Sequence, residues 1–376
     1  MTIEVHTLDA LRTHLRAGTL QHVVVQGLDL HSMSAELATT SADGAVFLGC
    51  AMDEATTAHI QATGGVLFPQ LDGLPYHPFR PRLYTVEELM AGYQRGQPGS
   101  FFTDTLDSRI YRHSQAHRTA TGPDSVIETL GQRLHDHAID DALDDLLHDG
   151  DRQVVGVMGG HAMQRDDPDF LSVARLAQRL AQGGLFVATG GGPGAMEAAN
   201  LGAWLAPSSD TQLEEAVAIL AEAPSYSHDG WFETAYTVRE RFPGGAESLA
   251  VPTWFYGHEP SNLFSTHIAK YFANSIREDG LLAIATRGVV YAPGSAGTIQ
   301  EVFMDAAQNH YGTCTVVSPM VFFGREYWQE TKPVYPLVQQ LAAGRQYADL
   351  LAISDSADEI ARFILDNPPV PYKDRH

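Results

Sequence analysis

The chain has 376 residues, of which 44% are hydrophobic and 19% charged, and its formal net charge is −22. That length suggests about two domains at roughly 100–200 residues each, with a sizeable core. The acidic excess speaks against nucleic-acid and anionic-membrane partners, which need a basic face, but leaves room for a small anionic ligand in a local pocket of donors.

Cys50 and Cys314 lie far apart without ligand spacing, so neither a disulfide framework nor a cysteine-rich zinc site is expected. The opening "MTIEVHTLDALRTHLRAG" lacks an apolar leader core, and no later run approaches about 18 uninterrupted apolar residues. A soluble cytoplasmic protein is the expectation.

In the first hundred residues, "HVVVQGL", "GAVFLGC" and "GGVLFPQ" are apolar runs of strand length between turn residues, and "DEATTAHIQAT" reads as a helix. "DGLPYHPFRPRLY" is an aromatic, proline-rich loop, and Thr85 with Glu88 forms a capping box. These predict a small α/β domain over residues 1–120 without an active-site signature of its own. Its end, from Arg95 to Asp124, is polar and reads as a link. A connecting amphipathic helix follows over 121–150, with Ile127, Leu130, Leu134, Ile139, Leu143 and Leu147 broadly on one side. His135 and His137 point about 200° apart on such a helix, which predicts a solvated face rather than a metal site. No metal site is expected.

From residue 151 strands alternate with helices: "QVVGVMGG", "PDFLSVARLAQRLAQGG", "LFVATGGGPGAMEAANLGAWLA", "LLAIATRGVVYAPGSAGTIQEVFMDAAQ", "TVVSPMVFFG" and "LLAISDSADEIARFIL". The alternation predicts an α/β fold over 151–376, a doubly wound parallel (Rossmann-like) sheet with helices on both faces, preceded by the smaller α/β domain. Ligands of such sheets bind outside the carboxyl ends of the strands. Gly159 and Gly160 fall there, as do two glycine turns, Gly190–Gly194 and Gly294–Thr298. A turn of this kind lets backbone N–H groups reach a ligand and aims a helix N-terminus at it, which suits phosphate.

Other glycine motifs do not fit. "GPGAME" has Glu197 where a dinucleotide fingerprint needs glycine, neither turn ends in Gly-Lys-Ser/Thr, and Lys270, Lys332 and Lys373 lack a Schiff-base context. No cofactor is expected, and a nicotinamide dehydrogenase is disfavoured. Glu301 has two readings: the end of a Thr298-x-x-Glu301 capping box, or an acid facing the same mouth as the turn.

"PGSAGTIQE" together with "GGGPGAMEAAN" resembles the Lonely Guy family, the cytokinin riboside 5′-monophosphate phosphoribohydrolases also called lysine decarboxylase-like proteins. Pro293, Gly294, Gly297, Thr298 and Glu301 match its motif, and Ser295 replaces the second glycine. "GPGAME" and the Gly159–His161 start are similar to the larger bacterial branch, the nucleotide 5′-monophosphate nucleosidases. The resemblance spans roughly residues 151–367.

It implies hydrolysis of the N-glycosidic bond of a nucleoside monophosphate, giving free base and ribose 5-phosphate without a cofactor. The motif's acid maps to Glu301, expected to act ionised. The family's arginine maps to Arg277, since Arg287 lies too near the strand. Nucleotide and phosphate would be held by Gly159, Gly160, Gly191, Gly192, Gly194, Met196, Glu197, Gly294, Ser295, Ala296, Gly297 and Thr298. A homodimer or larger homo-oligomer is implied. "VPTWFYGHEPSNLFSTHIAKYF" offers Trp254, Phe255, Tyr256 and His258 as an aromatic lid, with His258 and Glu259 near the leaving group. The alternative is a non-catalytic nucleotide sensor on the same fold.

Overall fold

Short apolar runs closed by turn residues form two separate parallel sheets. The structure, a computed structural model, describes residues 3–119 and 121–373. It divides into two units, Met1–Leu83 with Arg109–Leu146, and Tyr84–Ser108 with Leu147–His376.

The smaller unit has four parallel strands, β1 (Ile3–Val5), β2 (Val23–Gln26), β3 (Val46–Leu48) and β4 (Val66–Phe68), side by side in chain order. Its core gathers Leu11, Val23, Val25, Phe47 and Ile60. Asp53 caps the helix Glu54–Ala62 by accepting from the Thr56 amide, so the "DEATTAHIQAT" helix starts where its sequence says.

Several expectations change here. The compact units do not divide at residues 120 and 150: the long helix Pro123–His148 groups with the small sheet as far as Leu146, and residues 84–108 group with the larger unit. The polar link passes from the larger unit to the smaller at residues 108 and 109, within the helix Leu106–His117. The apolar stripe of the long helix is right only in its second half. Ile139 and Leu143 are buried, but Ile127 and Leu130 are exposed, and Glu128, Gly131 and His135 face inward instead. The physical reason is the aromatic loop: a Cβ on Gly131 would press on Leu74 and the Tyr76 hydroxyl, which donates to the Glu128 carbonyl. His135 is therefore a core residue, edge-on to Tyr76 and 3.3 Å from Asp136, not part of a solvated face.

The larger unit carries strands β5 (Val154–Met158), β6 (Phe186–Thr189), β7 (Leu249–Ala250), β8 (His267–Ile268) and β9 (Val289–Tyr291). They are followed by β10 (Val316–Val317), β11 (Met320–Phe323), β12 (Leu351–Ser354) and β13 (Val370–Pro371). Seven of them form one sheet in the order β12-β11-β9-β5-β6-β7-β8, every pair parallel, while β10 and β13 pair antiparallel apart from it. β5, β6, β9 and β11 are buried along their whole length, as strands covered on both faces must be. Helices Pro168–Gln182, Ala195–Trp204, Asp210–Ala221 and Ala357–Asp366 pack as one group, and Asn274–Ile284, Ala296–Tyr311 and Val334–Ala342 as another. This is a doubly wound, Rossmann-like α/β fold.

From β5 the sheet first grows toward β8, and then β9 returns to the other flank of β5. The winding direction reverses between β5 and β9, the crevice where open α/β sheets bind ligands. Among the described residues no helix is long and apolar enough to cross a membrane.

One close approach holds the first helix pair together: a Cβ at Gly202 would overlap the Ala174 carbonyl. Gly202→Ala is expected to cost about 1–3 kcal/mol through overpacking, read from the urea midpoint at an unchanged slope.

Candidate active site

At that reversal, the ends of β5 and β9 open into a hollow of about 710 Å³. Gly159 and Gly160 form one wall, Pro293 to Thr298 another, and Arg277 and Glu301 reach in between them.

The turn after β9 explains its own composition. The Thr298 side chain occupies the space a Cβ on Gly294 would need, whereas a Cβ on Gly297 would meet nothing within 4 Å. The helix begins at Ala296 with Ser295 as N-cap, and the Ser295 side chain makes no capping bond. The amides of Ala296, Gly297 and Thr298, in the first turn, have no intrahelical acceptor, so the rim carries donors for an anion. Thr298 thus lies inside the helix rather than before it, and the capping-box reading of Glu301 does not hold. Tyr327 donates its hydroxyl to the Gly294 carbonyl, and Lys332 Nζ lies 3.4 Å from Ser295 Oγ.

Glu301 sits deeper, only 9% exposed, with Oε1 3.5 Å from Arg277 Nη1. Burial pushes its carboxyl up to about 7; Arg277 opposes the shift and Glu278 adds to it. The expectation that the helix terminus favours the ionised form is outweighed by desolvation, which moves the carboxyl toward its neutral form. One turn further along the helix, the fully buried Asp305 is likewise raised to about 7 by burial, while the Tyr291 hydroxyl donates to it at 2.6 Å.

Arg277 is anchored by Nε on the Val251 carbonyl at 2.7 Å, and its guanidinium lies where a side chain on Gly190 would be. The first glycine turn is closely packed on its neighbours. Its glycines admit neighbours: Gly191 packs on Ala250 and Pro252, Gly192 on Met196, and Gly194 on the Gly160–His161 backbone. Even the Ala195 amide is taken, donating to Gly160 O at 3.1 Å. Met196 lines the hollow, but Gly191, Gly192 and Gly194 are not among its lining residues. Glu197 is also outside it, fully buried with both oxygens on the Arg165 guanidinium at 2.9 and 2.5 Å. Arg287 points instead toward the carbonyls of Ile364 and Leu365.

The hollow therefore brings together Gly159, Gly160, Met196, Arg277, Gly294, Ser295, Ala296, Gly297, Thr298 and Glu301. The aromatic lid is divided. Trp254 is a core residue donating to Asp107 at 2.8 Å, and His258 stacks on Phe101 beside Asp107, away from the hollow's lining. Tyr256, 66% exposed, and Glu259 do line it. Sequence reasoning missed Glu278, which is buried and accepts from the Tyr256 hydroxyl at 3.3 Å and from Gln300 Nε2 at 2.7 Å. Its place next to Arg277 was the only available signal. Tyr327 and Lys332 come from a distant segment that carried none.

No protein-family model matches the chain, and no curated protein matches it. Among solved structures, the molybdenum cofactor binding protein of the phototrophic bacterium Rippkaea orientalis aligns at 15% identity and a TM-score of 0.37, covering 57% of this chain and 96% of that one. The Moco carrier protein of Chlamydomonas reinhardtii aligns at 16% identity and a TM-score of 0.34, covering 57% and 98%.

Because the folded carboxyl of Glu301 is raised, its contribution to stability is fully present below its unfolded value near 4.5 and is lost as pH rises through about 7. Glu301→Gln removes that loss. The melting temperature of the variant relative to wild type should climb between pH 5 and pH 8; an offset that stays constant with pH contradicts the assignment.

Proposed function

We propose that the chain is a phosphoribohydrolase of the Lonely Guy type, cleaving the N-glycosidic bond of a nucleoside 5′-monophosphate into free base and ribose 5-phosphate. The observation that carries this reading is that a buried carboxyl–guanidinium pair, Glu301 with Arg277, lines the same hollow as the open first-turn donors of Ala296, Gly297 and Thr298. Donors at one wall suit a phosphate, and a carboxyl deeper in suits a carbon that becomes cationic.

Loss of the base leaves positive charge on C1′, as in glycoside hydrolysis. In its ionised form Glu301 stabilises that charge and accepts a proton from the attacking water, whose oxygen bonds to C1′ as the C1′–N bond breaks. The electron pair of that bond leaves with the base, which takes up a proton. A carboxyl that titrates near neutrality can pass through both protonation states within a turnover. Arg277 favours the ionised state and offers donors to the ribose hydroxyls or the phosphate. Holding the phosphate fixes the sugar relative to the acid, which turns binding into rate.

A second reading, nucleotide binding without hydrolysis, is favoured by one observation: Arg277 already occupies one oxygen of Glu301. Incubation with a panel of nucleoside monophosphates separates the two, since hydrolysis releases free base and ribose 5-phosphate. On the catalytic reading Glu301→Gln should lower kcat about 10²–10⁴-fold while nucleotide still binds; turnover at the wild-type rate would remove Glu301 from the chemistry.

Gly297 provides an independent check. Since a Cβ there meets no protein atom, Gly297→Ala should leave the fold intact or stabilise it by about 0.5–1 kcal/mol. If phosphate sits on this turn, the same methyl should weaken nucleoside monophosphate binding at least about tenfold, measured by calorimetry. Unchanged affinity would move the phosphate elsewhere.

A further inference from the structure

The smaller unit holds a group of ligating side chains that the hydrolytic reading does not use. Positions 4 and 6 lie two apart at the end of β1 and share one side of the sheet, and positions 141 and 145 lie one turn apart on the long helix. Each pair is set by local periodicity, and the fold of this unit brings the two pairs together. One donor atom from each of Glu4, His6 and Asp145 lies within 4.8 Å of the others. Glu4 Oε2 is 3.4 Å from His6 Nε2, and Asp141 comes within hydrogen-bonding reach of the Glu4 carboxyl.

Two carboxyls in contact need a shared proton or a cation between them. Here Asp141 and Asp145 both deepen the negative field at Glu4. Glu4 Oε2 and His6 Nδ1 are sealed from solvent and have no hydrogen-bond partner among the described residues. A neutral imidazole has a ring lone pair to donate. Leaving a buried carboxylate oxygen such as Glu4 Oε2 uncompensated is costly, and a metal ion held by it and one imidazole nitrogen removes that cost.

We propose that Glu4, His6 and Asp145, with Asp141 beside them, bind one divalent first-row transition cation such as Zn²⁺ or Mn²⁺. One imidazole with several carboxylates is the donor set such ions take, whereas a site for Mg²⁺ or Ca²⁺ would be built from oxygen alone. At metal–ligand distances of about 2.0–2.2 Å, tetrahedral donors stand about 3.4 Å apart, so side-chain rotation closes this cluster onto an ion. Asp145 is exposed, which leaves a way in from solvent. Bound there, the ion would tie β1, an edge strand of only three residues, to the helix Pro123–His148. Its role would be to hold the small unit together, and it does not depend on what the larger hollow does.

The test uses the full chain, stripped with a chelator and titrated with ZnCl₂ and separately with MnCl₂. With at least one of the two salts, elemental analysis after desalting should give one equivalent per chain, with a melting temperature several degrees above the stripped protein. His6→Gln and Asp145→Asn are both partly solvent-facing replacements that keep side-chain size, and each should weaken binding at least tenfold. Circular dichroism of the stripped variants establishes that they are folded; if one is not, Glu4→Gln takes its place. Failure of the wild-type chain to retain either ion overturns the proposal. So does wild-type affinity in folded His6→Gln and Asp145→Asn, which would put the ion on other histidines.

Discussion

Burying a carboxyl at the wall of a hollow beside a guanidinium is the constraint on which the larger unit's site depends. Arg277 reaches Glu301 at 3.5 Å, and its guanidinium passes where a side chain on Gly190 would stand. The anchor of the arginine on the Val251 carbonyl follows from where the chain leaves the end of β7. The first glycine turn is thus best understood as clearance for a cation. At the second, the space beside Gly297 belongs to the hollow rather than to protein. Two stretches of similar composition therefore do different physical work.

Acidity around the hollow sharpens the same point. Glu278 and Glu259 stand near Glu301, with Asp167 and Asp169 along the lining, so one guanidinium and the nearby Lys332 face several carboxyls. In such surroundings a phosphate dianion would rely on oriented amides at the helix start more than on net positive potential. The overall charge of −22 and a preference for an anionic ligand are then compatible, since the relevant field is local and dipolar. Glu278 is held by Tyr256 and Gln300, which fixes the Tyr256 ring at the mouth of the hollow.

What could be read from residues alone was whatever local periodicity encodes. Apolar runs ending in glycine gave the strands and their carboxyl-end turns, and the alternation with helices gave the doubly wound sheet. What could not be read was which surfaces meet. Ile127 and Leu130 continue the apolar pattern of their helix, yet they are exposed because the loop around Tyr76 covers the neighbouring face. Trp254 and Tyr256 are nearly adjacent in a sequence that suggests one lid, but one is drawn into the core by Asp107 and the other stays at the hollow. Glu197 looked like part of a phosphate turn, and only the arrival of Arg165 shows it to be half of an interior ion pair.

Residue spacing was enough for the order of elements, the class of fold and the position of Glu301 just after a glycine turn, because each follows from spacing within about one turn or one strand. Only tertiary contacts bring Arg277 to face Glu301, Lys332 and Tyr327 to the second turn, and close neighbours to Gly190, Gly191, Gly192 and Gly194 of the first. They also decided the protonation balance of Glu301, since how far a carboxyl is desolvated depends on residues far away along the chain.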